Sequence, residues 1–263
     1  MSEALLISQD TRGVVTLTLN RPEVRNAFDD ALIVALISAL KNIAEDRQAR
    51  LVHLRGAGKI FCAGADLPWM HRMANYSYQE NLADAEKLAE LMTQLNSLPQ
   101  PTIAFIQGAA YGGGIGLAAC CDMAIATTQT TFCFSEVKLG LIPAVISPFV
   151  LSRMGEKAMR RYALTAEVFD ALQAKSMGLI DEVVAENELE AVAEKMTEMI
   201  LLNAPEAMTE MKILLQKISS GLSQEEVRKA TIKAIAERRM STEGQARLKT
   251  FLERNVYAKT KTT

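Results

Sequence analysis

One carboxylate in this sequence has a setting that suits proton transfer. Glu136 lies within residues 134–143, where most of its neighbours are apolar or small. Burial disfavours the charged form of a carboxyl group, and this moves its pKa toward the range used in general acid and base catalysis. An ion pair with Lys138 or Arg153 is the structural alternative. Glu136 is therefore the candidate catalytic residue.

Two segments of small residues allow a ligand to approach the backbone closely. Residues 61–67 follow a predicted strand and a glycine-containing turn, and residues 108–116 hold three consecutive glycines at a predicted strand-to-helix junction. Free N–H groups at such a junction suit an oxyanion or a phosphate. The structural alternatives are a tight turn for the first segment and close helix packing for the second. Neither segment carries a dinucleotide fingerprint or a P-loop.

The elements that must position these segments alternate between strand and helix. Hydrophobic periodicity predicts an α/β fold. The predicted strands are residues 14–19, 51–55, 103–106, 123–126 and 131–134, and the predicted helices of this part are residues 29–44, 77–96 and 115–121.

The pattern becomes helical beyond about Phe149, where we expect the sheet to be complete. Predicted helices lie near residues 171–177, 188–202, 205–218 and 224–239. Pro205 follows a clear break in the pattern. The expected organisation is an α/β core over residues 1–200 and a helical lobe over residues 201–263.

Composition excludes several classes of protein. The 263 residues carry a formal net charge of −2, so no global basic field favours nucleic acid or an anionic membrane. No apolar stretch is long enough to span a membrane, and no basic leader precedes one, so a cytoplasmic location is expected. The four cysteines lack metal-ligand spacing, which predicts reduced thiols in or near the core and no metal site.

Taken in order, the motifs resemble the crotonase superfamily, the enoyl-CoA hydratase/isomerase family. The resemblance begins at residues 19–22 and 26–27, continues through 61–67 and 108–122, and includes 135–136 and 139–143. It implies a spiral of repeated β-β-α turns with a C-terminal helical domain that forms a homotrimer or a dimer of trimers. It also implies an acyl-CoA substrate and no prosthetic group.

The same resemblance implies roles for individual residues. The backbone N–H groups of Ala65 and Gly113 would form an oxyanion hole for a thioester. Coenzyme A would contact the residues Arg25, Ala27, Ala63, Asp66 and Leu67. Arg21, Arg25 or Lys59 would supply positive charge for its phosphates. Pro68 stands where many relatives have a lysine, so one positive contact is missing, and a lysine or arginine of the C-terminal helix could compensate for it. The acyl pocket would be lined by Trp69, Met70, Gly116 and Val145, although core packing explains such apolar residues equally well.

Position 116 departs from the family pattern. Classical hydratases carry a second glutamate there, whereas this chain has Gly116 and keeps only Glu136. Residues 112–117, 135–137 and 142–147 are similar to hydratases of branched, carboxylated enoyl-CoAs such as 3-methylglutaconyl-CoA and isohexenylglutaconyl-CoA. This favours a hydratase in which Glu136 is both base and acid, with Gly116 leaving room for the branch. A Δ3,Δ2-enoyl-CoA isomerase is the main alternative, and a 3-hydroxyacyl-CoA hydrolase or an inactive acyl-CoA-binding protein are lesser ones.

Overall fold

The computed structural model describes residues 3–260, with side chains up to residue 253. It contains nine described strands, namely β1 Leu5–Gln9, β2 Val14–Leu19, β3 Leu51–Gly56, β4 Thr102–Ile106, β5 Ala109–Tyr111, β6 Met123–Thr127, β7 Thr131–Cys133, β8 Phe169–Asp170 and β9 Glu182–Val184. The described helices are α1 Asp30–Glu45, α2 Leu67–Met73, α3 Tyr78–Asn96, α4 Gly113–Cys120, α5 Ser147–Thr165, α6 Ala171–Ser176, α7 Leu189–Leu201, α8 Pro205–Ser219, α9 Gln224–Met240 and α10 Thr242–Thr260.

The strands form two sheets. The larger sheet has the order β1-β2-β3-β4-β6-β9, and all its neighbours are parallel except β1 and β2. The smaller sheet has the order β5-β7-β8, in which β5 and β7 are parallel. Strand β4 is buried along its whole length, as expected for a strand in the middle of a parallel sheet.

The predicted α/β alternation is confirmed, but the expectation that the sheet is complete by Phe149 is wrong. Strand β8 adds to the smaller sheet, and β9 extends the larger one beside β6. Each has only two or three residues, so neither is long enough to show an alternating pattern in the sequence. Both strands depend on pairing partners that lie far away in the chain.

The chain divides into two units, Met1–Thr197 and Glu198–Thr263. The first unit holds a core built around the large sheet and helices α1, α3 and α4. All four cysteines are buried there as free thiols. Within the described residues, no helix is long and apolar enough to cross a membrane.

The second unit consists of helices and is much less buried. None of residues 201–253 is fully buried in the single chain. Several large apolar side chains are about half exposed or more, among them Met211, Ile213, Leu215, Ile232, Ile235 and Phe251. Helix α10 was not predicted from the sequence, because its apolar residues do not follow a strong helical period.

Candidate active site

Two loops come together beside the N-terminus of α4. Residues 62–64 run alongside 109–112, because the Cys62 N–H donates to Ala109 O at 3.1 Å and the Tyr111 N–H donates to Cys62 O at 2.9 Å. The backbone of Phe28 joins the same array, with its N–H donating to Gly64 O and its carbonyl accepting from the Asp66 N–H, both at 2.7 Å. This pairing places Ala65 next to the start of α4.

The predicted oxyanion residues each present an unused backbone donor. Gly113 is the first residue of α4, so its N–H has no acceptor within the helix. Among the described residues, neither the Ala65 nor the Gly113 N–H donates to a protein acceptor. Ala65 is exposed and Gly113 is half-buried. The two donors are therefore open to a carbonyl oxygen of a bound molecule.

Phe28 holds this arrangement together, a role that the sequence did not reveal. A Cβ atom at Gly113 would lie 2.7 Å from Cε2 of the Phe28 ring, so only glycine fits against it. Phe28 is itself 2% exposed. The backbone of Phe28 thus fixes the segment of Ala65, while its ring sets the position of Gly113.

Glu136 lies on the other side of the same glycine run. It begins a short 3-10 turn after β7, and the Leu141 N–H donates to its carbonyl oxygen at 3.0 Å. A Cβ atom at Gly112 would lie 2.8 Å from Glu136 Oε1. Gly112 also has φ 49° and ψ −118°, which side chains disfavour. The absence of a side chain at Gly112 therefore leaves the space that the Glu136 carboxylate occupies, one residue before Gly113.

The environment of Glu136 favours its protonated form. Oε2 is buried, and no described residue forms a hydrogen bond with it. Burial raises the pKa of the Glu136 carboxyl, and a hydrogen bond with its own backbone opposes part of this rise. The structure shows no ion pair between Glu136 and either Lys138 or Arg153 among the described residues. Arg153 instead donates to the carbonyl oxygens of Ala119, Cys121 and Asp122.

Several residues assigned to coenzyme A have other partners. Arg21 contacts Asp29 at 3.0 Å and Asp66 at 2.8 Å, so its charge is neutralised inside the protein. The carboxylate of Asp66 also caps α2 by accepting from the Trp69 N–H, and its side chain is 3% exposed. These two side chains have structural partners, and their contacts with coenzyme A stay a prediction.

The remaining residues of the predicted coenzyme A site surround the same loops. The carbonyl oxygen of Arg25 accepts from the Ala63 N–H at 3.0 Å, and Arg25 has φ 58°. Its side chain is exposed, as are those of Lys59 and Leu67, whereas Ala27 is buried. Arg25 and Lys59 are thus two exposed cations near the oxyanion segments in the chain.

The residues predicted to line the acyl pocket differ in how deeply they are buried. Trp69 is 4% exposed, and its indole N–H donates to Asp84 Oδ1 at 3.2 Å, so it belongs to the core. Met70 and Val145 are half-buried. Gly116 faces Ile146, whose Cγ2 would lie 2.2 Å from a Cβ atom at position 116. The expectation that Gly116 leaves open room for a substrate branch is therefore corrected, because Ile146 fills that room.

Charged residues also gather at a second place, which we name the polar cleft. This cavity of about 270 Å³ is lined in part by Asp10, Arg12, His53, Arg55, Glu190 and Glu194. Arg12 pairs with Asp10 and Glu194, and Arg55 pairs with Glu190. His53 Nε2 lies 3.0 Å from Thr197 Oγ1. No group of three or more potential metal ligands is found among the described residues.

Comparisons with known proteins show the family and the fold of the chain. The family model described as enoyl-CoA hydratase/isomerase matches residues 9–259. The chain is similar to an enoyl-CoA hydratase of Shewanella pealeana, with 42% identity, a TM-score of 0.92 and coverage of 96% of this chain and 94% of that one. An enoyl-CoA hydratase of Mycobacterium smegmatis gives 32% identity, a TM-score of 0.91 and coverage of 96% and 97%.

A curated relative carries both activities in its name. The enoyl-CoA isomerase/hydratase fer4 of Mycosarcoma maydis is 34% identical over 218 residues, which cover 79% of this chain and 78% of the relative. The fold expected from the motif resemblance is confirmed by these matches.

Proposed function

The chain belongs to the enoyl-CoA hydratase/isomerase family, the crotonase superfamily, and on that premise we propose that it hydrates a branched or carboxylated 2-enoyl-CoA through Glu136 alone. The observation that carries this proposal is the single carboxylate beside two free backbone donors. Glu136 Oε1 lies against Gly112, and the next residue offers the Gly113 N–H. Its other oxygen is buried, with no hydrogen-bond partner within the described part of the chain.

In the proposed reaction the thioester carbonyl accepts hydrogen bonds from the Ala65 and Gly113 N–H groups. Ionised Glu136 takes a proton from water, whose oxygen forms a bond to C3 of the substrate. The electrons of the C2–C3 double bond move onto the carbonyl oxygen, giving an enolate that the two N–H groups stabilise. Protonated Glu136 then returns the proton to C2, so one water has been added. Aligned donors of this kind contribute roughly 3 kcal/mol each.

Binding of coenzyme A in this proposal uses the loops that frame the oxyanion segments. Arg25 and Lys59 are exposed and form no ion pair within the part of the chain that the structure describes, so their charges are available to phosphate groups. The backbone around Ala27, Ala63 and Leu67 would contact the rest of the coenzyme A molecule. The mechanism needs no prosthetic group.

Isomerisation is a second candidate, and a specific observation favours it. The place that a second acid would take at position 116 of α4 is filled by Ile146, while the Glu136 carboxylate lies against Gly112. One carboxylate is enough to move a proton between C2 and C4 of a 3-enoyl-CoA. The name of the fer4 relative includes the same pair of activities.

A spectrophotometric assay separates these functions. The purified protein is incubated with crotonyl-CoA, 3-methylglutaconyl-CoA and a 3-enoyl-CoA, and the absorbance of the conjugated thioester is followed. Hydration of the branched substrate removes absorbance, whereas isomerisation of the 3-enoyl substrate creates it. No change with any of the three would contradict both proposals and leave the hydrolase and the inactive binding protein.

We further propose that the chain forms a homotrimer or a dimer of trimers through residues 201–263. The half-exposed apolar side chains of this lobe support the proposal, since a single chain rarely leaves so many uncovered. Sedimentation analysis tests it, and a monomer at micromolar concentration would contradict it. The cytoplasmic location expected from the sequence stays a prediction.

A further inference from the structure

The space in front of Gly116 is filled by one side chain. A Cβ atom at position 116 would lie 2.2 Å from Ile146 Cγ2 and 2.9 Å from Ile146 Cβ, with Met92 Cε at 3.2 Å. Non-bonded contacts of a Cβ atom under about 3 Å essentially never occur in proteins, so even alanine would require Ile146 to move. Gly116 and Ile146 are therefore complementary in shape.

This contact lies about one helical turn from the carboxylate. The Gly116 N–H lies 3.3 Å from Gly112 O, which closes the first turn of α4. Positions four residues apart on a helix are neighbours, roughly 5–6 Å from each other. Glu136 covers Gly112 and Ile146 covers Gly116, so an apolar side chain follows the carboxylate along the same helix.

The backbone of Ile146 is held firmly in this place. Its carbonyl oxygen accepts from the N–H groups of Phe149 and Val150 at the start of α5, at 3.2 and 3.1 Å. Ser147 ties the preceding residues by donating from its hydroxyl to Pro143 O at 2.7 Å. The side chain is 2% exposed. A new side chain at position 116 would thus collide with Ile146, whose burial and backbone hydrogen bonds restrict its movement.

We propose that Ile146 is the specificity-determining residue that holds this site to one-carboxylate chemistry. It occupies the volume that a second acid on α4 would need, so a glutamate at position 116 can function only when residue 146 is small. This inference rests on the proposed function of Glu136. It predicts that residues 116 and 146 are coupled both in folding and in the reaction.

The folding part is tested with a double-mutant cycle that does not depend on any substrate. Gly116→Ala should lower Tm in the unchanged protein, because its methyl group collides with Ile146. In the Ile146→Ala background the same Gly116→Ala change should lower Tm much less. Ile180, another isoleucine that is 2% exposed, provides the control. Ile180→Ala should combine additively with Gly116→Ala. Additive effects for the 116 and 146 pair as well would overturn the proposal.

The reaction part is tested on the full-length protein with crotonyl-CoA. Gly116→Glu with Ile146→Ala should hydrate crotonyl-CoA at least about tenfold faster than Ile146→Ala alone, because a second acid–base group typically contributes 10²–10⁴-fold. Gly116→Glu alone should show no such gain. A folded double variant that hydrates crotonyl-CoA no faster than Ile146→Ala would contradict the proposed role of Ile146 in the reaction.

The two proposals fail in different ways. If the proposed hydration is wrong, the unchanged protein removes no absorbance from 3-methylglutaconyl-CoA, while the Tm coupling between residues 116 and 146 persists. If Ile146 has no such role, the unchanged protein is active but the coupling is absent.

Discussion

The polar cleft and the Glu136 turn both hold ionisable side chains, but these side chains differ in their partners. In the cleft, Arg12 and Arg55 each have a carboxylate partner, and His53 has the Thr197 hydroxyl. At the turn, one oxygen of Glu136 is buried with no hydrogen-bond partner among the described residues.

The difference separates a structural network from a candidate catalytic group. A paired charge is stabilised in one protonation state, whereas burial raises the pKa of the Glu136 carboxyl, which has no ion-pair partner among the described residues, and favours exchange of its proton. The cleft is lined by charged groups, and each of its two arginines is paired with a carboxylate. The chemistry of the molecule is therefore expected where pairing is missing.

Replacing the unpaired carboxyl should give the largest effect. Glu136→Gln keeps the shape of the side chain but removes proton transfer, so kcat should fall by about 10²–10⁴-fold while binding of a CoA ester is retained. Steady-state kinetics and calorimetric titration with a product analogue measure the two quantities. Near-normal turnover would show that Glu136 is not the acid–base residue.

Displacing the same carboxyl should give the next largest effect. Gly112→Ala places a methyl group 2.8 Å from Glu136 Oε1, and a shift of about 1 Å at a reacting group can lower kcat/KM about 10²-fold. Gly155→Ala is the matched control, since Gly155 has φ 72° but no atom within 4 Å of the added methyl group. The control should lose stability without a comparable loss of turnover per folded molecule. Equal losses of turnover would mean that backbone strain, and not the carboxylate, is responsible.

His53 allows the cleft to be tested by pH. Burial, and then the charge of Arg55, lowers the pKa of His53 to about 4. A lowered histidine pKa means that the unfolded chain binds the proton more readily, so stability falls as the pH falls from about 6.5 to about 4. The expected loss of unfolding free energy over this range is about 3 kcal/mol.

Urea titrations at several pH values measure that loss, with His53→Gln as the variant that does not titrate. The variant should lack this component of the pH dependence, while its turnover at pH 7 remains close to that of the unchanged protein. An identical pH dependence of stability in both proteins would contradict the assignment.

The raised pKa of Glu136 predicts the pH dependence of the reaction. Glu136 must be ionised to take a proton from water, so kcat/KM should fall on the acid side, with a midpoint above the ordinary value of 4.5. Below this midpoint the rate should drop about tenfold for each pH unit. A profile from pH 4 to 8, with activity rechecked after return to pH 7, gives the midpoint. A midpoint at or below 4.5 would contradict the unpaired state of the carboxyl.

The smallest effect is expected for an exposed pair of the cleft. Arg12 contacts Glu194 at the surface, and such pairs contribute little because water screens them. Arg12→Ala with Glu194→Ala should leave kcat and KM unchanged within about twofold. A large loss of turnover would make the cleft part of the active site and remove the contrast drawn above.

Much of the fold could be predicted from the sequence where the elements are long. Strand β2 has the predicted bounds of residues 14–19, and α3 lies within the predicted residues 77–96. Such elements carry a repeated apolar pattern that is visible in one segment of chain. Strand β1 was missed, because four of its five residues are exposed and it depends on antiparallel pairing with β2.

The candidate site shows the same division. The apolar setting of Glu136 and the glycine runs identified the segments to examine, and the structure places Ala65, Gly113 and Glu136 around the start of α4. The ion pairs of Arg21 with Asp29 and Asp66 could not be predicted from the sequence, because these residues are separated by up to 45 positions. A lone arginine in a sequence does not reveal which anion it will meet.

The sequence by itself determined the alternation of strands and helices, the places where the backbone lacks side chains, and the presence of one carboxyl among apolar residues. These are local properties, set by residue type and spacing within a few turns of chain. Only the tertiary structure decided that Glu136 Oε2 is buried with no hydrogen-bond partner among the described residues, that Arg21 has two carboxylate partners, and that Ile146 fills the space at Gly116. Whether a charge is paired or a space is filled depends on side chains brought from distant segments, and packing alone selects them.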